Sequence, residues 1–228
     1  MKPISSSGIR RGVGRRLRIL TDPVRRKIRR IAPRADSDYA THIPILIGLS
    51  KHFRIERVLE LGCGDFSTAT FLNTECFPWL DSLVSFETNQ SWLDRTAQYA
   101  GRDHRYHPRL ITDSMASAVK DVALEQFDLI FVDDSTSAAE RVETIKQLSN
   151  HAPKNPLIVI HDFEINEYRR AATGFENRQI FRALTPQTGV IWNGNLPIAT
   201  ILKRLDRKIV KFSQRLTPED IAGWKTFL

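Results

Sequence analysis

Five short apolar segments that alternate with helical patterns constrain the fold of this chain more than any other feature of its sequence. The apolar segments predict strands over residues 57–62, 82–89, 108–114, 127–135 and 155–164. The helical patterns lie at residues 41–53, 67–77, 89–101, 115–126 and 137–152. Because strands that alternate with helices form parallel sheets covered on both faces, the sequence predicts a doubly wound α/β fold.

The C-terminal part departs from this alternation. Residues 189–204, "GVIWNGNLPIATILKR", predict two strands joined by a tight turn, since Asn-Gly is a strong hairpin signal. The sheet is therefore expected to have seven strands, mostly parallel, and to end in an antiparallel hairpin. Thr41 is predicted to cap the first helix, whose Ile43 packs inward. Thr217 is predicted to cap a last short helix.

Composition limits the class of protein. The 228 residues are enough for one domain with a substantial core, and no apolar run approaches the roughly 18–20 residues of a membrane span. No secretory signal is recognisable. Cys63 and Cys76 are too few for a disulfide framework, and Cys63 is predicted to be a small filler inside a glycine turn. The predicted compartment is the cytoplasm.

Positive charge is concentrated at the start of the chain. Residues 1–34 hold twelve Lys or Arg and one acid, a net charge of +11, whereas the remaining residues carry a net charge of −3. Residues 1–38 are therefore predicted to be a basic arm, partly disordered or amphipathic, and residues 39–228 the folded domain. The arm has the pattern of a basic helix on an acidic membrane surface or on nucleic acid, of a solvated segment docked on its own domain, or of an organellar targeting peptide.

Polar residues and a glycine follow the predicted strands at their carboxyl ends, where open α/β sheets bind ligands. They are Glu60, Gly62, Glu87, Asp113, Asp133, Asp134, His161 and Asp162. Gly62 and Gly64 allow a sharp turn and the close approach of a ligand. Ser67 stands where a dinucleotide-binding sequence has its third glycine, so the turn favours a ligand with a ribose but no pyrophosphate.

Three acids and a serine are suited to the groups of such a ligand. Glu87 lies 23 residues after Gly64, where a carboxylate can accept both ribose hydroxyls. Asp113 with Ser114 is predicted to face an adenine amino group, and Glu60 to receive an ammonium group through water.

The segments "VLELGCGDFST", "VSFETN", "ITDS" and "FDLIFVDD", in this order and spacing, resemble the motifs of class I S-adenosylmethionine-dependent methyltransferases. The resemblance covers roughly residues 40–205. It implies a Rossmann-like fold and S-adenosylmethionine as the methyl donor. The donor-binding residues that it implies are Glu60, Gly62, Gly64, Glu87, Asp113, Ser114 and Asp133. The usual third glycine of the family falls on Phe66 here.

Within that family, "FVDDS", "ERV" and "IVIHDFE" are similar to small-molecule and sugar O-methyltransferases of the macrocin and catechol types. The resemblance implies that Asp133, His161 and Asp162 face the acceptor, and that a divalent metal binds Asp133 and Asp162. Because Mg²⁺ prefers oxygen ligands, His161 in this set favours a softer metal or no metal. The histidine is otherwise a general base or a satisfied side chain that closes a strand.

The residues near Asp133, His161 and Asp162 each have more than one possible role. Asp134 or Ser135 is predicted to cap the following helix, and Arg141 is expected on its solvated face. Trp92 either covers an adenine or packs in the core, and Glu164 adds a further carboxylate.

Acceptor choice is expected to depend on two segments, the helix at residues 39–53 and residues 165–188 as a lid. Arg169, Arg170 and Arg178 of the second segment either hold an acidic acceptor or form a solvated face.

The predicted function is methyl transfer to an oxygen of a small molecule, sugar or lipid-linked glycan. The alternatives are a nucleic-acid methyltransferase that uses the basic arm, and a non-catalytic nucleotide-binding module that the arm brings to a membrane. The residues "VDDS" after the fourth strand lack the "NPPY"-like tetrad of amino methylation, which argues against a nucleic-acid substrate. An aminopropyl transferase shares the fold, but the sequence has no obvious acidic cluster for a polyamine.

Overall fold

The structure, a computed structural model, describes residues 40–135, 137–151, 153–194 and 198–213. The basic arm at residues 1–38 and the helix predicted at Thr217 lie outside the described residues. None of the helices within the described ranges is long and apolar enough to cross a membrane.

Seven strands form one sheet with the order β3-β2-β1-β4-β5-β7-β6. The first five strands are parallel, and β7 is antiparallel to both β5 and β6. The strands are β1 (Arg57–Leu61), β2 (Ser82–Glu87), β3 (Tyr106–Leu110), β4 (Leu129–Val132), β5 (Leu157–Ile160), β6 (Asn177–Phe181) and β7 (Thr188–Trp192). This arrangement confirms the predicted mostly parallel, Rossmann-like sheet that ends in an antiparallel hairpin.

Seven α-helices are described in these parts of the chain. They are α1 (Ile43–His52), α2 (Ser67–Leu72), α3 (Gln90–Ala100), α4 (Met115–Lys120), α5 (Ala138–His151), α6 (Asn166–Ala171) and α7 (Ile198–Ser213). Short 3₁₀ turns lie at Leu124–Gln126 and Ala172–Gly174. Helices α1, α2, α3 and α7 pack on one face of the sheet, and α4, α5 and α6 on the other.

The strand β4 shows why both faces are covered. Its residues Leu129 and Phe131 belong to the apolar cluster on one face, and Ile130 and Val132 to the cluster on the other. All four side chains are fully buried. Since successive side chains of a strand point to opposite faces, only a nearly continuous apolar run can satisfy a strand in this position.

The hairpin prediction was wrong in its residues. Its strands are β6 and β7, whereas Ile198 and the residues after it form the helix α7. The buried residues Ile198, Leu202, Leu205 and Ile209 follow a helical spacing, which outweighs the Asn-Gly signal before them. Strand β6 escaped detection because it is the partly exposed edge strand and carries polar residues.

One local prediction also fails. Thr41 does not cap α1, because the N-cap position is His42 and no side chain caps the helix there. The segment 165–188 contains α6 and β6, and its role as a lid stays a prediction.

Gly62 controls how closely the ends of β1 and β4 approach each other. Its φ angle is +87°, and a Cβ atom at this position would overlap the backbone carbonyl oxygen of Asp133. Its amide donates to Phe86 O at 2.8 Å, and the amide of Asp133 donates to Leu61 O at 2.8 Å. The glycine is therefore required first by packing between strand ends, and it brings the loop after β1 next to the acids after β4.

We expect Gly62→Ala to lower the free energy of unfolding by about 2 kcal/mol or more, since it adds left-handed strain to an overlap with backbone. Gly64→Ala is the matched control, because the nearest atom to a Cβ there is Ser67 Oγ at 4.0 Å. Guanidinium unfolding of both variants measures the difference. Equal stabilities would contradict the packing role of Gly62.

Candidate active site

The carboxylate of Glu60 ends β1 inside the protein. Glu60 is fully buried. One of its oxygens accepts a hydrogen bond from the Thr68 hydroxyl at 3.0 Å, and the other accepts from the hydroxyls of Thr68 and Ser85. Burial raises the pKa of Glu60 to about 7, although the hydroxyl donors oppose the shift. The carboxyl group thus joins β1, β2 and the start of α2.

Glu87 links the end of β2 to the glycine turn. Its Oε1 atom accepts from the amides of Thr88 and Asn89, both at 2.8 Å, and its Oε2 atom accepts from the Cys63 amide at 3.1 Å. Burial raises the pKa of Glu87, while these amides oppose the shift. The carboxylate therefore lies against the turn, with acceptor capacity left on Oε2.

Gly64 leaves one side of the turn open. A Cβ atom at Gly64 would have no neighbour closer than 4.0 Å. The carbonyl of Gly64 accepts from the Tyr99 hydroxyl at 3.0 Å, and its amide donates to Thr68 Oγ1 at 3.1 Å. Cys63 is buried in the turn, as predicted for a small filler.

The residues predicted to face an adenine lie at the surface after β3. Asp113 is exposed. Ser114 is the N-cap of α4, where its hydroxyl accepts from the Ser117 amide at 3.1 Å. Trp92 is 39% exposed, so it does not pack in the core, and the Arg95 guanidinium lies 5.0 Å from its ring centroid.

A second polar cluster lies at the ends of β4 and β5 and is organised by Arg141. The Arg141 side chain is only 5% exposed. Its guanidinium lies 2.8 Å from Asp133 Oδ1, 2.9 Å from Asp162 Oδ2 and 3.6 Å from Asp134 Oδ1. It also donates to the backbone carbonyl of Ser135. The expectation of a solvated arginine was therefore wrong.

The spacing of α5 contains a signal for this burial. Arg141, Ile145 and Leu148 are all buried, and they recur at the spacing of one helix face. Arg141 therefore continues the apolar stripe, where an arginine needs acidic partners to be buried.

His161 holds protons on both ring nitrogens in this geometry. The single hydroxyl hydrogen of Thr41 is donated to Pro186 O at 2.8 Å, so the Thr41 oxygen accepts from His161 Nε2 at 3.1 Å. The Nδ1 atom lies 3.4 Å from Asp133 Oδ2 and 3.6 Å from Asp162 Oδ1, and these oxygens are acceptors when ionised. The contacts thus favour the imidazolium form of His161 between the two carboxylates.

The pKa values of this pair agree with the geometry. Burial lowers the pKa of His161, but the Asp133 hydrogen bond and the charges of Asp133 and Asp162 outweigh burial and raise it. Burial raises the pKa of Asp133, but the His161 hydrogen bond and the charges of His161 and Arg141 outweigh burial and lower it. Each partner therefore stabilises the charged form of the other.

His42 is a neighbour that the sequence analysis missed. It is buried, with its ring centroid 4.8 Å from that of Phe131 and 4.9 Å from that of His161. Neither ring nitrogen has a hydrogen-bond partner in the described part of the chain. Burial and the charge of His161 lower its pKa to about 3, so His42 is neutral. One ligand atom each from His42, Asp133 and His161 lie within 4.8 Å of one another.

Asp134 and Ser135 have separate tasks. Asp134 does not cap α5, because its Oδ2 atom accepts from the hydroxyl of Thr144, deep within the helix, at 2.6 Å. Ser135 does not cap the helix either, because its Oγ atom accepts from the Ser137 amide at 3.0 Å, before the helix begins. The side chain that accepts from the first turn is that of Ser137, whose Oγ atom lies 3.5 Å from the Glu140 amide nitrogen.

The supposed lid residues are tied to the scaffold. Arg169 donates to Phe163 O at 2.7 Å and to Gln187 Oε1 at 3.1 Å. Glu164 Oε2 accepts from the Gln187 amide at 2.8 Å. These bonds fix the chain after β5 to the start of β7.

No family model matches the chain, and no curated protein matches it either. Among solved structures, human methyltransferase-like protein 13 in complex with SAH is 13% identical with a TM-score of 0.51, over 76% of this chain and 92% of that one. A probable spermidine synthase from Corynebacterium glutamicum is 13% identical with a TM-score of 0.52, over 81% of this chain and 80% of that one. The N-methyltransferase NodS from Bradyrhizobium japonicum is 13% identical with a TM-score of 0.49, over 77% of this chain and 99% of that one.

The human and Corynebacterium structures show that the chain has the class I methyltransferase fold. In this fold the two polar clusters lie side by side at the carboxyl edge of the sheet. The predicted site residues at the ends of β1, β2, β4 and β5 are brought to that edge, whereas Asp113 lies at the exposed surface beyond β3. Their ligand roles stay predictions.

We expect His161 to titrate above its ordinary pKa of 6.5, because Asp133 and Asp162 stabilise the imidazolium. Asp133→Asn should lower the pKa of His161, since one stabilising charge is lost. By linkage, the pairing contributes most to stability below pH 6.5, and the contribution is lost as the pH rises through the raised pKa. An NMR titration of the histidine ring signals measures the shift.

The signal of His161 is assigned with His161→Gln. Asp103→Asn, which removes a carboxylate that is paired with Arg105 elsewhere, is the control and should leave the titration unchanged. A pKa of His161 that does not move in Asp133→Asn would contradict the pairing.

Proposed function

We propose that this chain is a class I S-adenosylmethionine-dependent methyltransferase that methylates an oxygen of a small molecule, sugar or lipid-linked glycan. The observation that carries the proposal is the bond between Glu87 and the Cys63 amide. It brings an acidic residue at the end of β2 against the glycine turn after β1, within the class I fold.

The residues at the turn fit the donor. Glu87 Oε2 has acceptor capacity left for a ribose hydroxyl, and the open side of Gly64 leaves room beside the turn. Gly62, Asp113, Ser114 and Glu60 complete the proposed donor site, with Asp133 at its border. The solved human structure contains SAH, the product of methyl donation, which supports the same donor here. The donor supplies a methyl group that is already activated by a positively charged sulfur.

The chain then has to orient the acceptor and remove its proton. Asp133 and Asp162 are 23% and 29% exposed, whereas His161 is 3% exposed. The two carboxylates therefore connect the buried imidazole with the acceptor side. His161 becomes a base only after it has lost its Nδ1 proton, which requires a pH above its raised pKa.

The competing functions differ in the donor or in the acceptor. The similarity to a probable spermidine synthase makes aminopropyl transfer a rival within the same fold. Against it, the Arg141 cation already offsets part of the negative charge of Asp133, Asp134 and Asp162, which weakens their attraction for a positively charged polyamine. The nucleic-acid methyltransferase alternative rests on the basic arm. A non-catalytic module is the conclusion if the chain binds the donor but transfers no methyl group.

We expect S-adenosylmethionine and its demethylated product to bind with micromolar affinity, and Glu87→Gln to weaken both by about tenfold or more, since a ribose contact is lost. Isothermal calorimetry on the full chain measures both affinities. Glu143→Gln is the control, because Glu143 is exposed and pairs with Lys146 on the surface. A folded wild-type chain that binds neither compound overturns the proposal.

For the arm we propose contact with an anionic membrane surface and a cytoplasmic location peripheral to that membrane. Its net charge of +11 is attracted to anionic lipids by about 1 kcal/mol per basic residue near the surface. Removal of residues 1–34 should abolish salt-sensitive sedimentation with anionic vesicles and leave donor binding intact. Equal sedimentation of both chains would contradict this role, and salt-sensitive binding of nucleic acid alone would favour the nucleic-acid alternative.

A further inference from the structure

The side chain of Arg141 lies between Asp133 and Asp162, where a metal ion would otherwise bind. The resemblance to catechol-type enzymes implies a divalent metal at Asp133 and Asp162. In this structure the two carboxylates bind the guanidinium of Arg141, at 2.8 Å and 2.9 Å. Different terminal nitrogens make the two contacts, so the planar fork of the arginine bridges the ends of β4 and β5.

The surroundings of Arg141 hold the guanidinium in place. The Ser135 carbonyl accepts from Nη2, Asp134 lies 3.6 Å from Nε, and the ring centroid of Tyr168 lies 5.5 Å from Cζ. The side chain is buried, and burial lowers its pKa while the charge of Asp133 and further acidic groups raise it. A metal at the same place would face an adjacent, fixed positive charge.

The histidines beside the cluster are a separate candidate for metal binding. The Nε2 atom of His161 lies 3.1 Å from the Thr41 hydroxyl oxygen, and its Nδ1 atom faces two carboxylates. His42 is neutral and unpartnered in the described part of the chain, and one ligand atom each from His42, Asp133 and His161 lie within 4.8 Å of one another. A metal bound there through Asp133 would still lie beside the guanidinium of Arg141.

We infer that the Arg141 guanidinium takes the place of the divalent metal, so that this site works without one. The binding part of this inference stands on the contacts alone. The part that concerns methyl transfer rests on the proposed function. An acceptor at such a site is oriented by hydrogen bonds to Asp133 and Asp162, and it needs no pair of oxygens that chelate a metal.

Mn²⁺ binding to the full chain tests the inference, because Mn²⁺ prefers oxygen ligands and its free concentration can be measured by electron paramagnetic resonance. The wild-type chain should show no site at the acid cluster up to millimolar Mn²⁺. Arg141→Met should create one, with an affinity for Mn²⁺ that is about tenfold or more higher than that of the wild type. Adding Asp133→Asn to this variant should remove the new site.

Arg95→Met is the matched control. Arg95 also pairs with an aspartate, and Arg95 Nε donates to Asp65 Oδ1 at 3.0 Å, but only this one carboxylate is involved. Its removal should not create a Mn²⁺ site. Binding in both variants to the same extent would overturn the special role of Arg141.

Two results overturn the inference directly. One is a Mn²⁺ site in the wild-type chain that Asp133→Asn or Asp162→Asn abolishes. The other is a folded Arg141→Met variant, checked by near-ultraviolet circular dichroism, that binds Mn²⁺ no better than the wild type. If Arg141→Met does not fold, Arg141→Gln takes its place. If neither variant folds, the wild-type titration alone decides, since a site at the acid cluster overturns the inference and its absence supports it.

The outcome is separable from that of the proposed function. A chain that binds S-adenosylmethionine and also binds Mn²⁺ at Asp133 overturns only the inference about Arg141. A chain that binds neither S-adenosylmethionine nor Mn²⁺ overturns only the methyltransferase proposal, because the guanidinium of Arg141 still occupies the acid cluster.

Discussion

The close approach of the loop after β1 to the backbone after β4 is the constraint on which the rest of the site depends. Gly62 permits it, because any Cβ atom there would overlap the Asp133 carbonyl oxygen. This contact brings Cys63 to Glu87 on one side and Asp133 to Arg141 and His161 on the other. The two polar clusters are neighbours because β1 and β4 pair along their length and their ends meet at this backbone contact.

Charge balance explains how the cluster of Asp133, Asp162, Arg141 and His161 can be partly buried. The carboxylates of Asp133 and Asp162 are opposed by the cations of Arg141 and His161, each held at hydrogen-bond or ion-pair distance. Removing one member of such a set leaves an unpaired charge near the core, which is far more costly than the set as a whole. The low pKa of His42 is caused first by burial, and the positive charge of the neighbouring His161 lowers it further.

The sequence predicts the part of this structure that depends on short-range pattern. Apolar runs and their acidic ends identified five parallel strands, and through them Glu60, Glu87, Asp133 and the pair after β5. The pattern failed where long-range contacts decide. The edge strand β6 has no apolar run of its own, and α7 follows a turn signal that a hairpin would share.

The site residues missed by sequence reasoning have the same explanation. Thr41 and His42 lie more than a hundred residues from His161 and contact it only through the fold. The charge of Arg141 led to the prediction that it is solvated, although its spacing with Ile145 and Leu148 indicates a buried helix face. A charged residue on an apolar stripe is therefore better treated as a sign of buried partners than as a solvated exception.

The two clusters also differ in net charge, and this difference bears on how a donor would be recognised. Within the described residues, Glu60 and Glu87 accept hydrogen bonds from hydroxyls and amides and form no ion pair. The cluster at Arg141 and His161 is close to neutral. Under the proposed function, a positively charged sulfonium donor would be attracted to the carboxylate of Glu87 at the glycine turn. The internal cation of Arg141 thus distinguishes the two clusters by charge as well as by position.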